Sequence, residues 1–172
     1  SLSKHENIRN EHFMNCNNLK TIAIPESILY IGKYAFLNCS SLTDISIPSS
    51  VTEIGEWAFS ECKSLKRITI PFSVRKIRSF AFNNCTSLKQ VSIPSVTVIE
   101  KCAFFNCKSL THILLPVFLK SIDDHAFGGC VSLKQISIPS SVISVGKGCF
   151  KKCTSLVQVL FHSNNITIKS YA

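Results

Sequence analysis

The stretch LTDISIPSSVTEIGEWAFSEC, residues 42–62, decides the fold, because LKRITIPFSVRKIRSFAFNNC, residues 65–85, repeats it with the apolar positions kept. The same pattern occurs about seven times at a spacing of 23 residues, with one interval of 22. The marker leucines, which number the repeats one to seven, are Leu19, Leu42, Leu65, Leu88, Leu110, Leu133 and Leu156. A fixed period of this length indicates a solenoid in which each repeat forms one turn.

Other residue types also fall into columns, so that the consensus is L-x-x-I-x-I-P-x-x-V-x-x-I-G-x-x-A-F-x-x-C. All six prolines share one column, and Phe and Cys each occupy another with seven members, from Phe13 to Phe150 and from Cys16 to Cys153. A serine column precedes the marker leucines and is expected to bond the backbone at a corner. The glycine column is only partial, with Arg78, Glu100 and Asp123 in three repeats. That exchange predicts an ordinary turn rather than a left-handed backbone there.

The third repeat shows how the pattern translates into local structure. Ile68 and Ile70 are two residues apart and therefore share one face of a strand, while Arg67 and Thr69 point to the other face. Pro71 has no N–H to offer a ladder and therefore marks the end of the strand. The rest of the repeat has irregular apolar spacing, which fits turns, short 3₁₀ segments or short strands.

No single turn can bury its own apolar side, so the core forms only when turns stack. The strands of successive turns are then expected to pair in parallel, about 4.8 Å apart. We predict one domain over residues 1–172, with a degenerate first unit at residues 1–18 and an incomplete last unit at residues 157–172. Because the sequence stops inside a repeat, it is expected to be part of a longer array.

From Phe13 to Val159, the phrase IP-x-x-V-x-x-IG-x-x-AF-x-x-C resembles the BspA-like, or Treponema pallidum-type, class of leucine-rich repeat proteins. The resemblance implies a right-handed solenoid with a parallel β-sheet on the concave face. Turns, short 3₁₀ segments or short strands would lie on the convex face. It also implies a binding module, often linked to cell-surface adhesion, without a conserved active site. The departures are small: repeat four lacks one residue after Ser95, and His162 and Cys149 replace a proline and an alanine.

Seven of the nine cysteines lie in the inward column beside Phe. This position favours a ladder of buried, reduced thiols that act as small apolar side chains. Disulfides between turns are a weaker alternative, because side chains stacked in register keep their Cβ atoms too far apart. A zinc site is weaker still, because its ligands must converge on one point. Reduced thiols favour a reducing compartment such as the cytoplasm, whereas the resemblance suggests the cell surface, so the compartment stays open.

The sequence contains no motif that carries chemistry. None of the five histidines lies in an H-E-x-x-H pattern, and there is no G-x-S-x-G elbow and no phosphate-binding loop. Asp123 and Asp124 are adjacent and do not converge as an acid–base pair does. We therefore predict no enzyme activity, no cofactor and no metal. No apolar run approaches the roughly 18 residues of a membrane span.

The outward positions of the predicted strands vary while the core columns do not, which is how a fixed scaffold presents a specific surface. They are the candidate partner-binding residues of the concave face, although they are equally consistent with simple solvation. These residues are Asp44, Arg67, Thr69, Gln90, Ser92, His112, Leu114, Gln135 and Ser137. Tyr34, Trp57 and Phe80 share another column and form either an exposed patch or packing between turns.

The formal net charge is +9, and residues 63–89 contain no acid. This charge favours acidic partners. The predicted basic patch consists of Lys63, Lys66, Arg75, Lys76, Arg78 and Lys89. The leading hypothesis is a protein-interaction module, and the second is binding of an acidic polymer such as nucleic acid or sulfated glycan, although no known nucleic-acid module is present. The open ends of a solenoid also offer a route to self-association, so the assembly state is open between a monomer and end-to-end copies.

Overall fold

The computed structural model describes residues 7–163 and 166–169, and the first six and last three residues of the predicted terminal units lie outside this range. Short strands are the regular elements of the fold. In chain order they are β1 (Tyr30–Ile31), β2 (Glu53–Ile54), β3 (Arg67–Thr69), β4 (Lys76–Ile77), β5 (Gln90–Ser92), β6 (Val98–Ile99), β7 (Ser121–Ile122), β8 (Gln135–Ile138), β9 (Ser144–Val145), β10 (Gln158–Phe161) and β11 (Thr167–Ile168). All pairings between them are parallel, which confirms the stacked solenoid.

The strands belong to two faces of the coil. On the first face, the L-x-x-I-x-I segments pair as β3 with β5 and β8 with β10, and Ala23 bridges Ser46. On the second face, the V-x-x-I segments pair as β1 with β2 and as a five-stranded sheet in the order β11-β9-β7-β6-β4. We call the first the concave face and the second the opposite face. The irregular part of each repeat thus contains short strands and turns, one of the forms predicted.

The core consists of apolar ladders that run along the stack. The marker leucines of repeats two to six are fully buried, and those of repeats one and seven are partly buried. The Phe column forms a continuous stack from Phe13 to Phe150, with ring centroids 5.1 to 6.0 Å apart. Each ring is therefore covered by the ring of the next turn, which is how single turns acquire a shared core.

The cysteine column contributes more than apolar volume. All nine thiols are free. From repeat one onward, each thiol of the cysteine column donates to the backbone carbonyl of the column Phe one turn earlier, at 3.1–3.3 Å between Sγ and O. The donors are Cys39, Cys62, Cys85, Cys107, Cys130 and Cys153. Since S–H is a weak donor, each bond adds a modest cross-turn link that alanine could not make.

Left-handed backbone occurs in two columns, in the unit before repeat one and in repeats one to six, and the sequence did not predict either. The first lies two residues before Phe and includes Tyr34, Trp57 and Phe80, at φ of 58–59°; the second lies directly before Cys and is mostly Asn. A positive φ is unfavourable for bulky residues. The structure supports it because the residues of both columns from Glu11 to Gly129 donate their N–H to the following turn, as Trp57 does to the Ser79 carbonyl at 3.2 Å. The glycine column has no left-handed residue among the described positions, as predicted.

The glycine column instead permits close approach of neighbouring turns. A Cβ on Gly55 would lie 2.6 Å from the backbone N of Lys33 and 2.7 Å from the backbone C of Gly32. These are backbone atoms, so the clash cannot be relieved by a flexible side chain. We predict that Gly55→Ala lowers the free energy of unfolding by about 1–3 kcal/mol. Urea denaturation of this variant beside Ser49→Ala, which changes an exposed side chain, checks it. Equal stability of the two variants would contradict the prediction.

Polar side chains form ladders at the corners of the coil. Asn38 donates to Asn15, and Asn106 donates to Asn84, both at 3.0 Å between amide N and O. In the serine column before the marker leucines, Ser87, Ser109 and Ser155 donate their main-chain N–H to the previous turn. Hydroxyls that bond the backbone of the previous turn come from Thr43, Thr52 and Thr97 and from the serines that precede the valine column in repeats two, three and six. These serines are Ser50, Ser73 and Ser141.

Candidate functional site

The nine candidate partner-binding residues are all exposed, and all lie on the concave face. They occur where successive side chains of a short strand alternate between core and solvent, as in β3 and β8. Asp44 lies in repeat two, before β3, which is the first strand of this face. His112 and Leu114 lie in repeat five, which has no strand on this face. The structure thus brings the candidates together on one surface.

Hollows on this face contain most of the candidates. One, of about 480 Å³, is lined by side chains and backbone of repeats three, four and five, including Arg67, Gln90, His112 and Leu114. A second, of about 510 Å³, is lined by Thr43, Asp44, Lys66, Arg67, Lys89 and Gln90. The third, of about 350 Å³, is lined by residues of repeats five, six and seven, including Leu114, Val117, Ser137 and His162. The concave surface is therefore shaped rather than flat.

Asp44 and Arg67 form an ion pair across two repeats, with 3.0 Å between Oδ2 and Nη2. The hydrogen bond to Arg67 lowers the pKa of the Asp44 carboxyl, and the same bond raises the pKa of the guanidinium. Both side chains are well exposed. Because a charge reversal at Arg67 would place two carboxylates together, it is a poor test of binding, and the unpaired lysines beside it are better targets.

The six residues of the predicted basic patch are divided between the two faces. Lys66 and Lys89 line a concave hollow, whereas Lys76 lies in β4 of the opposite face. Lys63 pairs with Glu61 at 3.2 Å between Nζ and Oε2. Arg75 donates to the Ser95 carbonyl at 3.3 Å and is exposed.

Arg78, on the opposite face, is surrounded by acids. Its guanidinium contacts Glu53 at 2.9 Å and Glu100 at 3.3 Å, and the hydrogen bond to Glu53 is the main cause of its raised pKa. Glu100 also accepts from the backbone N–H and hydroxyl of Ser79. The positive charge of Arg78 is thus compensated inside the fold, while the concave lysines face solvent.

The described histidines make separate contacts. His112 Nδ1 lies 3.1 Å from the Thr111 hydroxyl, and His162 Nε2 lies 2.7 Å from the Ser137 hydroxyl. The His125 ring packs edge-on against Phe105. Across residues 7–163 and 166–169, no three His, Cys, Asp or Glu side chains are grouped as a metal site requires. None of these segments is a helix of the length and hydropathy that crosses a membrane.

The aromatic run is half-buried and packs between turns. The rings of Trp57 and Phe80 stack with centroids 4.1 Å apart, and Tyr34 is tilted against Trp57 at 6.2 Å. Lys33 lies over the Tyr34 ring, 5.1 Å from its centroid. These rings of the first left-handed column therefore pack between turns rather than form an exposed patch.

The apolar side chains of repeat five were missed by sequence reasoning. Val117 and Phe118 are 71% and 59% exposed, in a segment where repeats two and six have two serines. The signal was available in the sequence, because PVFL replaces PSSV after Pro116. Only Leu114 of this region was among the candidates.

Comparison with known proteins agrees with this architecture. A family model described as BspA type leucine rich repeat region (6 copies) matches residues 6–97 and 91–172. The leucine-rich repeat protein TpLRR of T. pallidum is 33% identical with a TM-score of 0.83, over 87% of this chain and 72% of that one. A leucine-rich repeat protein from Bacteroides ovatus is 32% identical with a TM-score of 0.62, over 92% of this chain and 53% of that one.

The pneumococcal vaccine antigen PcpA shares the fold alone, at 20% identity and a TM-score of 0.59, over 86% of this chain and 51% of that one. The chain thus spans about half the length of the Bacteroides and pneumococcal proteins. A search of curated proteins gave no significant match. The repeat columns, the parallel stack and the match over nearly the whole sequence lead to one conclusion: the chain belongs to the BspA-type leucine-rich repeat family.

Proposed function

We propose that this chain binds a partner protein on its concave face and catalyses no reaction. The observation that supports this most directly is the common exposure of nine variable side chains on one face, over shaped hollows. The core columns beneath them hold the surface in place. Because the surface is preformed, binding needs little reordering of this chain, which favours affinity.

The charge of the concave face favours an acidic partner. Lys66, Arg67, Lys89 and Lys134 lie in or directly before its strand segments and are exposed. Asp44 is the one acid in the described strand segments of this face, and it is already paired with Arg67. A surface of this kind attracts an acidic patch and speeds its association.

A pair of lysine variants tests both the function and the face. We predict that Lys66→Ala/Lys89→Ala weakens partner capture at least about fivefold, because it removes two concave charges. Lys76→Ala/Lys120→Ala removes the same charge from the opposite face, where both lysines are exposed, and should leave capture unchanged. Capture from native cell extract, quantified by mass spectrometry and followed by titration with the purified partner, measures the difference.

The same variants separate this proposal from binding of an acidic polymer. Polymer binding depends on total phosphate or sulfate contacts and falls steeply with salt. If both lysine pairs reduce retention on heparin and single-stranded DNA equally, and no protein is captured in a face-dependent way, the polymer is the ligand and the proposed function is wrong. Melting temperatures of the variants should match the wild type, because none of the four side chains is buried.

A further inference from the structure

Repeat five interrupts the concave sheet. The L-x-x-I-x-I segments of repeats three and four pair as β3–β5, and those of repeats six and seven pair as β8–β10. The segment between them, residues 111–115, forms no strand. Within the described chain, no backbone hydrogen bond joins residues 112–115 to either neighbouring turn, and only the Thr111 carbonyl accepts, from Lys134 N at 3.2 Å.

The same repeat also exposes three large apolar side chains. Leu114 is 84% exposed, in a column occupied by Ser46, Thr69, Ser92 and Ser137 in the other middle repeats. Val117 and Phe118 are 71% and 59% exposed. Single exposed apolar residues are ordinary, but three within five positions of one repeat mark an interaction surface.

The missing strand and the exposed apolar side chains of repeat five do not stabilise the fold. At the position of Phe118, repeats two and six have Ser50 and Ser141, whose hydroxyls donate to the backbone carbonyl of the previous turn at 2.7 Å. Phenylalanine cannot make that bond. Repeat five therefore gives up both its strand pairing and its hydroxyl link while placing apolar surface in water. Where a sequence departs from its own rules without internal compensation, the cause is commonly function.

The surroundings of repeat five define the chemistry of its ligand. Hollows of about 480 and 350 Å³ lie on its two sides, and Leu114 lines both. Exposed Lys89 and Lys134 lie in the repeats before and after it. Within the described residues, the outward strand columns from Arg67 onward contain no acid. Backbone groups without an internal partner are satisfied by water or by a ligand.

We propose that repeat five is the docking site for an extended acidic segment of a protein partner, which places a large apolar side chain against Leu114. The flanking lysines attract the acidic groups, and the hollows beside Leu114 receive the apolar one. Polar backbone groups of the segment then complement those of residues 112–115. This inference rests on the proposed function and identifies the part of the concave face that selects the partner.

Selection from a phage-displayed library of random dodecamers tests the inference. Wild-type protein should enrich peptides that combine net negative charge with at least one large apolar residue. Fluorescence anisotropy of a selected peptide should then show at least about tenfold weaker binding to Leu114→Ser, the factor expected for losing one apolar anchor. Ile143→Ser is the matched control, because Ile143 is exposed on the opposite face. The affinity of this variant for the peptide should equal that of the wild type.

The outcomes separate this inference from the proposed function. Serine occupies the column of Leu114 in repeats two, four and six, so Leu114→Ser should fold, which its melting temperature verifies. If the peptide binds Leu114→Ser as tightly as the wild type but loses affinity for Lys66→Ala/Lys89→Ala, the concave face binds and repeat five is not the site. If neither variant weakens binding, both proposals are wrong. Enrichment of basic or wholly polar peptides, or of none, also overturns the inference.

Discussion

Raising the pH above about 9 should unfold this protein over a narrow interval, because the folded chain holds its thiols in their neutral form. Burial raises the pKa of eight of the nine cysteines, and it raises the pKa of Cys39 and Cys153 to about 11. The other six with a raised pKa are Cys62, Cys85, Cys102, Cys107, Cys130 and Cys149. Desolvation is the largest cause of the raised pKa at each of these thiols, so forming a thiolate requires opening of the turns.

The direction of the pH effect follows from the protons that each state holds. Thiols of the unfolded chain titrate near their ordinary pKa of about 8.5. Above that pH the unfolded chain loses protons that the folded chain keeps, so the free energy of unfolding falls. The contribution is fully present below the unfolded pKa and disappears as the pH rises toward the folded pKa. Each thiol adds a slope of about 1.4 kcal/mol per pH unit, and several together exceed a typical domain stability of about 5–15 kcal/mol.

Urea denaturation at intervals from pH 7.5 to 10.5, with a reductant present, measures this slope. The control variant is Cys85→Ala/Cys107→Ala, which removes two fully buried titrating groups. It should be less stable at pH 7.5, because two cross-turn bonds and some packing are lost, yet its stability should decline less steeply with pH. All ionisable groups other than the two cysteines are common to both proteins and cancel in the comparison. The same slope in the two proteins would show that thiol ionisation does not drive alkaline unfolding.

The stacking of turns could be predicted from the sequence because the period and the columns directly encode it. The alternation of Arg67, Ile68 and Thr69 gives the inward and outward faces of a strand, and the structure has the same alternation. Bonds between turns could not be predicted, because they depend on the backbone path. The left-handed conformation of Trp57 and the thiol bond of Cys62 to Phe36 are bonds of this kind. A column shows that a residue type is retained but not which atom it contacts.

The surface was predictable only in part for a related reason. Strand alternation correctly indicated that Gln90 and its column are exposed. It did not show that Arg67 pairs with Asp44, because that contact depends on how the chain folds around each turn. Spacing also did not indicate that residues 111–115 of repeat five form no strand, since the one missing residue of the pattern lies in repeat four.

Phe82→Ala should lower the free energy of unfolding by about 3–5 kcal/mol, the range for removing a buried aromatic ring from a core. The Phe82 side chain is fully buried and stacks on Phe59 and Phe104, with both centroids 5.4 Å away. Collapse cannot refill the space, because the backbone on either side is fixed by bonds such as Phe82 N–H to the Ala103 carbonyl at 2.9 Å. For a chain of this size, the melting temperature should fall by roughly 6–20 °C.

The position of Phe82 in the middle of the stack makes its loss more severe than that of a terminal ring. In an array where each repeat contacts only its neighbours, a defect in repeat three weakens the coupling between the two halves, so their unfolding should become less cooperative. Phe72→Ala is the matched control, since Phe72 lies in the same repeat and is 72% exposed. That variant should stay within about 0.5 kcal/mol of the wild type. Equal losses for the two variants would mean that the aromatic ladder does not hold the turns together, because burial in the stack is the property that distinguishes the two phenylalanines.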